Sequence, residues 1–342
     1  FYKNKKVFIT GHTGFKGSWL SQYLLVLGAK VFGYSLPAKT TPNLFEELDL
    51  EKEIQTDFHD IRDLDSLKKC FVNYEPELVF HLAAQPLVRH SYKAPLETFS
   101  TNIMGTVNLF EALKESKSVK ACVNITTDKC YENSEGIWGL RENDALGGHD
   151  PYASSKACSE LITQSYRRSY FDDSIDQIGD KVFFVASARA GNVLGGGDWS
   201  EDRIVPDIIK HINARTQVVL RNPDAIRPWQ HVLDPLTGYL MLAEKLYNKA
   251  PYDQSWNFGP DLRDCQSVSW VTDYICKKFG VEKGYKLDMS EKPHEAGFLR
   301  LDCSKANQIL GWSPKLDLMN CLNWTVDWFE SYKSGTSAKA IT

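Results

Sequence analysis

Tyr152 and Lys156 stand four residues apart in PYASSKAC, a spacing that sets both side chains on one face of a helix. A phenol of pKa ~10 is a poor base at neutral pH. A lysine cation beside it favours the phenolate, and so does a positively charged nicotinamide ring. The pair can therefore take a proton from an alcohol while a hydride leaves the same carbon. Upstream, Thr126-Thr127-Asp128 closes the apolar run Val119–Thr127 and adds hydroxyl and carboxyl groups. Tyr-x-x-x-Lys is common by chance; what precedes it in the chain gives it weight.

That context is GHTGFKGSWL, residues 11–20, directly after the apolar Val7-Phe8-Ile9. Gly11, Gly14 and Gly17 recur every third residue before a helical pattern. The first permits a tight turn, the next lets backbone N–H groups approach a pyrophosphate, and the third lets helix and strand pack closely. A helix N-terminus adds partial positive charge. Thr13, Phe15 and Lys16 lie inside this loop. At the end of the second strand GYSLPAKTT offers Ser35 and Lys39 but no acid, which leaves NAD and NADP both open at that point. Asp60 and Ile61 of DFHDIRD suit an adenine; a plain turn before a helix suits them equally well.

Stepping outward, β-rich runs alternate with helical ones. Strands are expected at 6–10, 30–36, 53–56, 77–84, 119–127 and 181–187, with helices at 15–27, 63–73, 96–114 and 152–170. This alternation means βαβ units, hence an α/β fold with a doubly wound parallel sheet of Rossmann type. The regularity fades near residue 190, where a second, smaller substrate-binding lobe is expected. The expected division is 1–188, with 231–257, for the dinucleotide-binding domain. Residues 189–230 and 258–332 form the lobe, and 333–342 a frayed tail.

The 342 residues carry a net charge of −4 from 40 basic and 44 acidic side chains. No basic field argues for nucleic acid and no polybasic cluster for a membrane surface. The eight cysteines form no Cys-x-x-Cys and the eight histidines no His-Glu-x-x-His, so no metal site is expected. The opening FYKNKKVFIT has no signal-type apolar stretch, and a cytoplasmic protein with reduced thiols is expected.

Together GHTGFKGSWL, LAAQPLVRHSY, TTDKCYEN, PYASSKAC, RAGNVLGGGDW and RPWQHVLD resemble the extended short-chain dehydrogenase/reductase family, and within it the nucleotide-sugar 4,6-dehydratases. The resemblance spans nearly the whole chain and implies NAD. It implies that Thr127 hydrogen-bonds the sugar O4, Tyr152 takes its proton, Lys156 holds the nicotinamide ribose and Asp128 protonates the departing C6 hydroxyl. It places Leu82, Ala83, Ala84, Gln85 and Thr126 along the cofactor, with Asn102 supporting nearby backbone. The implied reaction oxidises C4, eliminates water across C5 and C6, and returns the hydride to C6. The implied substrate is a nucleoside diphosphate hexose, CDP-glucose, gripped by Arg227 and Asn192, with Arg203, Glu295 and Arg300 as weaker candidates. Trp199 and Trp229 suit either core packing or a stacked base.

One position departs from the family pattern. Asp128 is followed by Lys129, where many relatives carry glutamate as the C5 base. A neutral amine base, a cation stabilising the enolate and a surface lysine all stay open. So do a 4-epimerase, a dehydratase for another nucleoside diphosphate hexose, and a non-catalytic dinucleotide sensor. The resemblance also implies a homodimer through helices 96–114 and 152–170, and a place in making deoxysugars for bacterial O-antigen polysaccharide.

Overall fold

Two short strands in the middle of the chain, LVFH and ACVNI, are buried at every residue, as strands covered on both faces must be. They are β4 (Leu78–His81) and β5 (Ala121–Ile125) in a computed structural model that describes residues 1–171, 183–248, 251–281, 284–288 and 296–342. With β1 (Lys6–Thr10), β2 (Lys30–Ser35), β3 (Gln55–Phe58), β6 (Phe184–Ala190) and the strand Ser255–Phe258 they form one sheet. Its order is Ser255–Phe258, β6, β5, β4, β1, β2, β3, and every pairing is parallel. The chain reverses direction across the sheet between β1 and β4. There the carboxyl ends of the strands open a crevice, the usual ligand position in such sheets.

Alternation along each strand sorts the core onto two faces. Val7, Ile9, Phe80, Val123 and Ala186 join one apolar cluster; Phe8, Val79, Cys122 and Val185 join the other. The helices Leu64–Tyr74 and Gly105–Glu115 close the second face, through Leu67, Phe71, Leu109 and Phe110. The α1 helix (Phe15–Val26) and Leu233–Tyr247 close the first, through Leu20, Leu24, Leu236 and Leu240.

Several expectations need correction. The third strand lies at 55–58, because Leu50–Glu53 is a helical turn. The fourth ends at His81, and Leu82 to Gln85 leave the sheet toward the crevice. The sixth begins at Phe184; residues 181 and 182 of the expected span lie outside the described residues. The helix 96–114 runs from Pro95 to Glu115 but carries a π turn at Ser100–Met104. The tail is not frayed: Ala338–Ile341 is helical, Ala338 is buried, and Trp328 Nε1 donates to Thr342 Oγ1 at 2.9 Å. Its small apolar side chains cover an aromatic cluster that would otherwise meet water.

Beyond residue 190 the lobe is more regular than the sequence suggests. It holds three two-stranded sheets: Val193–Leu194 with Gln230–His231, Ile226–Pro228 with Cys265–Ser267, and Val218–Leu220 with Tyr285–Leu287. The helices Ile204–Asn213, Val268–Lys278 and Leu318–Lys333 pack around them.

Candidate active site

The helix bearing Tyr152 and Lys156 starts where its sequence says it should. Asp150 caps it, its carboxylate accepting from Ala153 N–H at 2.9 Å, and Pro151 occupies the first turn. The side chains of Tyr152 and Lys156 point into the crevice beside the end of β5. Thr127, just past that strand, caps a short turn at Asp128–Cys130. Its hydroxyl donates to Asp128 Oδ1 at 3.0 Å and is hydrogen-bonded to the Tyr152 phenol.

Three further cations, Lys16, Lys129 and Arg203, surround these groups. Burial pushes the Tyr152 phenol up to about 12, against the pull of Thr127 and Arg203. Burial brings Lys156 down to about 8, with Glu160 opposing. Lys156 Nζ donates to the carbonyl of Ile125 at 3.1 Å. Lys16 comes down to about 7 through burial and the repulsion of Arg203, Lys156 and Lys129. Lys129 Nζ sits 3.6 Å from Asp128 Oδ1 with its side chain mostly covered, so it is no surface lysine. Such a concentration of positive charge is built for a polyanion.

A buried network fixes the two halves of the site. Glu160 and Arg189 pair at 2.9 Å. The Glu160 carboxylate also accepts from Thr126 (2.5 Å), Ser187 (2.6 Å) and Ser255 (3.1 Å), and Arg189 donates to Tyr131 at 2.8 Å. One helix is thereby tied to three neighbouring strands. The π turn does similar work. It aims Asn102 sideways, so that Nδ2 donates to Gln85 O (3.1 Å) and Ser155 Oγ (2.8 Å) while Oδ1 accepts from Gln85 N–H (2.8 Å).

The loop after β1 fits a dinucleotide. Gly11 has φ +76°, and a Cβ there would lie 2.6 Å from Ala83 N; a Cβ on Gly17 would lie 2.2 Å from Gly11 O. Gly14 starts α1 with no side-chain cap and no acid in the first turn, which leaves the helix N–H groups for an anion. Thr13 and Ser35 hydroxyls meet at 2.9 Å, joining the loop to the end of β2. The Asp60 carboxylate is held by Arg62 (2.6 and 2.9 Å), and the Ile61 side chain is buried against Gly105. The hydroxyl of Thr126 and the amide of Gln85 are committed inside the fold, to Glu160 and to Leu87 and Thr98. Phe15 reaches toward Gly195.

On the other side, Asn192, Arg203 and Arg227 line one pocket. Asn192 Oδ1 is buried without a partner. Arg203 acts on both Tyr152 and Lys16, so it belongs to the crevice rather than to a solvated loop. Trp229 forms part of the pocket wall, its Nε1 donating to Gln266 O at 2.8 Å. Trp199 packs instead on Trp328 and Tyr332. Arg300 stacks its guanidinium on Phe298 at 4.5 Å and does not line the pocket. Glu295 lies outside the described residues.

Sequence reasoning missed three features. Tyr239 has a buried hydroxyl with no partner and lies within the electrostatic reach of Asp128 and Tyr152. Gly191 leaves space over Asp128 Oδ2, 3.1 Å from where its Cβ would be, and that oxygen is also unpartnered. Glu160 follows Lys156 by four residues, the one signal that could have flagged it. Among the described residues no helix is long and apolar enough to cross a membrane, and no three His, Cys, Asp or Glu side chains gather as metal ligands.

Comparison with known proteins places this architecture. The family model for GDP-mannose 4,6 dehydratase matches residues 8–325. The CDP-glucose 4,6-dehydratase of Salmonella typhimurium is 49% identical over 337 residues, 98% of this chain and 93% of that one. A dTDP-glucose 4,6-dehydratase of Escherichia coli is 24% identical, covering 95% of this chain and 93% of that one. In fold the chain matches dTDP-glucose 4,6-dehydratase from Streptomyces venezuelae, solved with NAD bound (TM-score 0.82, 22% identity, 96% and 98% coverage). It also matches UDP-glucose 4-epimerase from Thermotoga maritima (TM-score 0.82, 23% identity, 96% and 99% coverage).

Proposed function

This chain belongs to the GDP-mannose 4,6-dehydratase family, and from that premise we propose that it is a lyase converting CDP-glucose to CDP-4-keto-6-deoxyglucose. The observation that carries the dehydratase reading is Asp128: a buried carboxyl with one unpartnered oxygen, beside Thr127 and Tyr152, in space left by Gly191. A 4-epimerase on this scaffold needs the threonine, tyrosine and lysine but no acid there. The 49% identity to a CDP-glucose 4,6-dehydratase supports the choice of nucleotide.

NAD, held by the Gly11–Gly17 loop, supplies a reversible hydride acceptor, so that C4 oxidation and C6 reduction leave no net redox change. The chain's own groups do the rest. Thr127 orients the sugar O4, and the Tyr152 phenolate takes its proton. Lys156, a cation beside that phenol, stabilises the phenolate. A ketone at C4 acidifies the C5 proton. Asp128 gives its proton to the departing C6 hydroxyl, and Lys129, 3.6 Å from it, serves C5, either as the amine that takes the proton or as the cation that steadies the enolate. Lys16, Arg203 and Arg227 hold the negative charge of cofactor and substrate.

Outward apolar side chains on the helices at 95–115 and 151–170 support a homodimer: Leu96 is 81% exposed, Met104 50% and Leu161 51%. A cytoplasmic enzyme feeding deoxyhexoses into bacterial O-antigen fits this chemistry.

The test is incubation with CDP-glucose deuterated at C4. Loss of one water, with the label at the new C6 methyl, is expected. An unchanged mass would make the protein an epimerase, and a label lost to solvent would refute the internal hydride return.

A further inference from the structure

The pocket opened by Asn192, Arg203 and Arg227 extends past these donors, between the helix Ile204–Asn213 and the strand Val218–Leu220. Its lining there is aliphatic, with Val205, Val218, Leu220 and Val268, the surface a flat base requires. Asp202, Asp207, Arg221 and Asn222 supply its polar side chains. Among the described residues no hydrogen bond or ion pair reaches the Asp207 carboxylate. Its neighbour Asp202 already takes two guanidinium groups, Arg89 and Arg221, each at 2.8 Å.

The bland role for an acid in a first helical turn is to answer the helix dipole. That would favour the charged form. Instead burial, with Asp202 adding to it, raises the Asp207 carboxyl above its ordinary value. A half-buried acid with no partner also does not belong against the diphosphate. Like charges repel strongly in a pocket that excludes water. Asp207 stands one helical turn from Arg203, its N–H on the Arg203 carbonyl at 3.0 Å, so it is left for the uncharged, hydrogen-donating part of the nucleotide next to the phosphates.

Resting on the nucleotide-sugar reading above, we infer that Asp207 reads the nucleobase, accepting a hydrogen bond from the exocyclic amine of cytosine and rejecting 4-oxo pyrimidines. Cytosine presents an N4 amine where uracil and thymine present the O4 carbonyl. A carboxylate facing O4 sets acceptor against acceptor and leaves both unsatisfied in a dry pocket. Specificity then comes from rejection as much as from attraction.

The experiment compares kcat/KM for CDP-, UDP- and dTDP-glucose in the wild type, Asp207→Asn and Asp207→Ser, with thermal melts alongside. The asparagine can offer an N–H to O4. Its preference for CDP-glucose over UDP-glucose is expected to fall by ~10–100-fold, the size of one base-edge contact. The change should lie in KM, because the contact is remote from the reacting carbons. Variants that keep the wild-type preference, or that both fail to fold, would overturn the assignment and make Asp207 structural. A wild type that favours UDP- or dTDP-glucose would overturn the proposed substrate instead, a result read without any variant.

Discussion

The two walls of the crevice are made of different material. The wall we assign to the cofactor is backbone: Gly11, Gly14 and Gly17, the free N–H groups of α1, and the chain from Leu82 to Gln85. The wall we assign to the substrate is side chains: Asn192, Arg203, Asp207 and Arg227, brought in from separate segments, a helix and a strand among them. A backbone site is specified by short-range spacing and fails when an atom is added. A side-chain site is specified by long-range convergence and fails when an atom is removed. The catalytic groups stand on the seam, on the end of β5 and the helix beside it.

If the seam carries chemistry and the walls carry binding, Tyr152→Phe should separate them most sharply. We expect kcat to fall by ~10³-fold, within the usual range for a lost general base, while calorimetric binding of NAD and of CDP is unchanged. Weakened binding of either would mean that the seam and walls are one unit. Asp128→Asn comes next. Dehydration should fall by ~10²-fold while C4 oxidation continues, so that reduced nicotinamide accumulates in its absorbance band. Wild-type dehydration in this variant would move the acid for C6 to another residue.

The walls themselves are distinguished by opposite edits. Gly17→Ala adds one methyl 2.2 Å from Gly11 O, a backbone contact that cannot yield. A cost near ~3 kcal/mol is expected, at the upper end for overpacking, read as a lower melting temperature and lost NAD affinity. Arg227→Ala removes a cation from the other wall. A charge-assisted contact contributes ~1.5–3 kcal/mol, so KM for the sugar nucleotide should rise ~10–100-fold with kcat nearly constant. A fall in kcat alone would move Arg227 to the seam.

The same contrast governs what the sequence disclosed. The strand–glycine turn–helix unit and the Tyr152–Lys156 pair were legible, because each depends on residues near one another in the chain, whereas joining Thr127 and Asp128 to that pair across 25 residues took the family resemblance. The π turn at Ser100–Met104 was not. It exists to turn Asn102 toward Gln85 and Ser155, and its local sequence is ordinary helix. Glu160 with Arg189, Tyr239 over Asp128 and the space above Gly191 were hidden for a related reason. Each is a meeting of segments separated by tens of residues. The tail was misread because SGTSAKAIT is polar in composition, while Ala338 and Ile341 have an aromatic surface to cover.

The smallest effect tests the cofactor wall from beneath. His81, at the end of β4, is wholly buried between two hydroxyls, with Nδ1 2.7 Å from Thr10 Oγ1 and Nε2 3.3 Å from Thr106 Oγ1. Thr106 gives its proton to Asn102 O, so it can only accept from Nε2–H. Thr10 accepts from the N–H groups of Leu82 and Ala83, so its own proton faces Nδ1. The ring is thus satisfied as the neutral tautomer, and a second proton on Nδ1 would set donor against donor. Burial accordingly brings His81 down to about 3, and brings His12 and His231 down to about 4. The unfolded chain binds these protons below pH ~6.5. Each folded-state value lies beneath the unfolded one, so each contribution to stability is full above pH ~6.5 and is lost as the pH falls. Its slope is at most ~1.4 kcal/mol per pH unit. The losses from His12 and His231 end near pH 4, whereas that from His81 continues to about pH 3. Urea midpoints of the wild type and His81→Asn, compared between pH 6.5 and 4, should therefore converge as the pH falls. Parallel curves would show that His81 takes its proton inside the fold, and that the hydroxyl pair beneath the Leu82–Ala83 backbone does not hold it neutral.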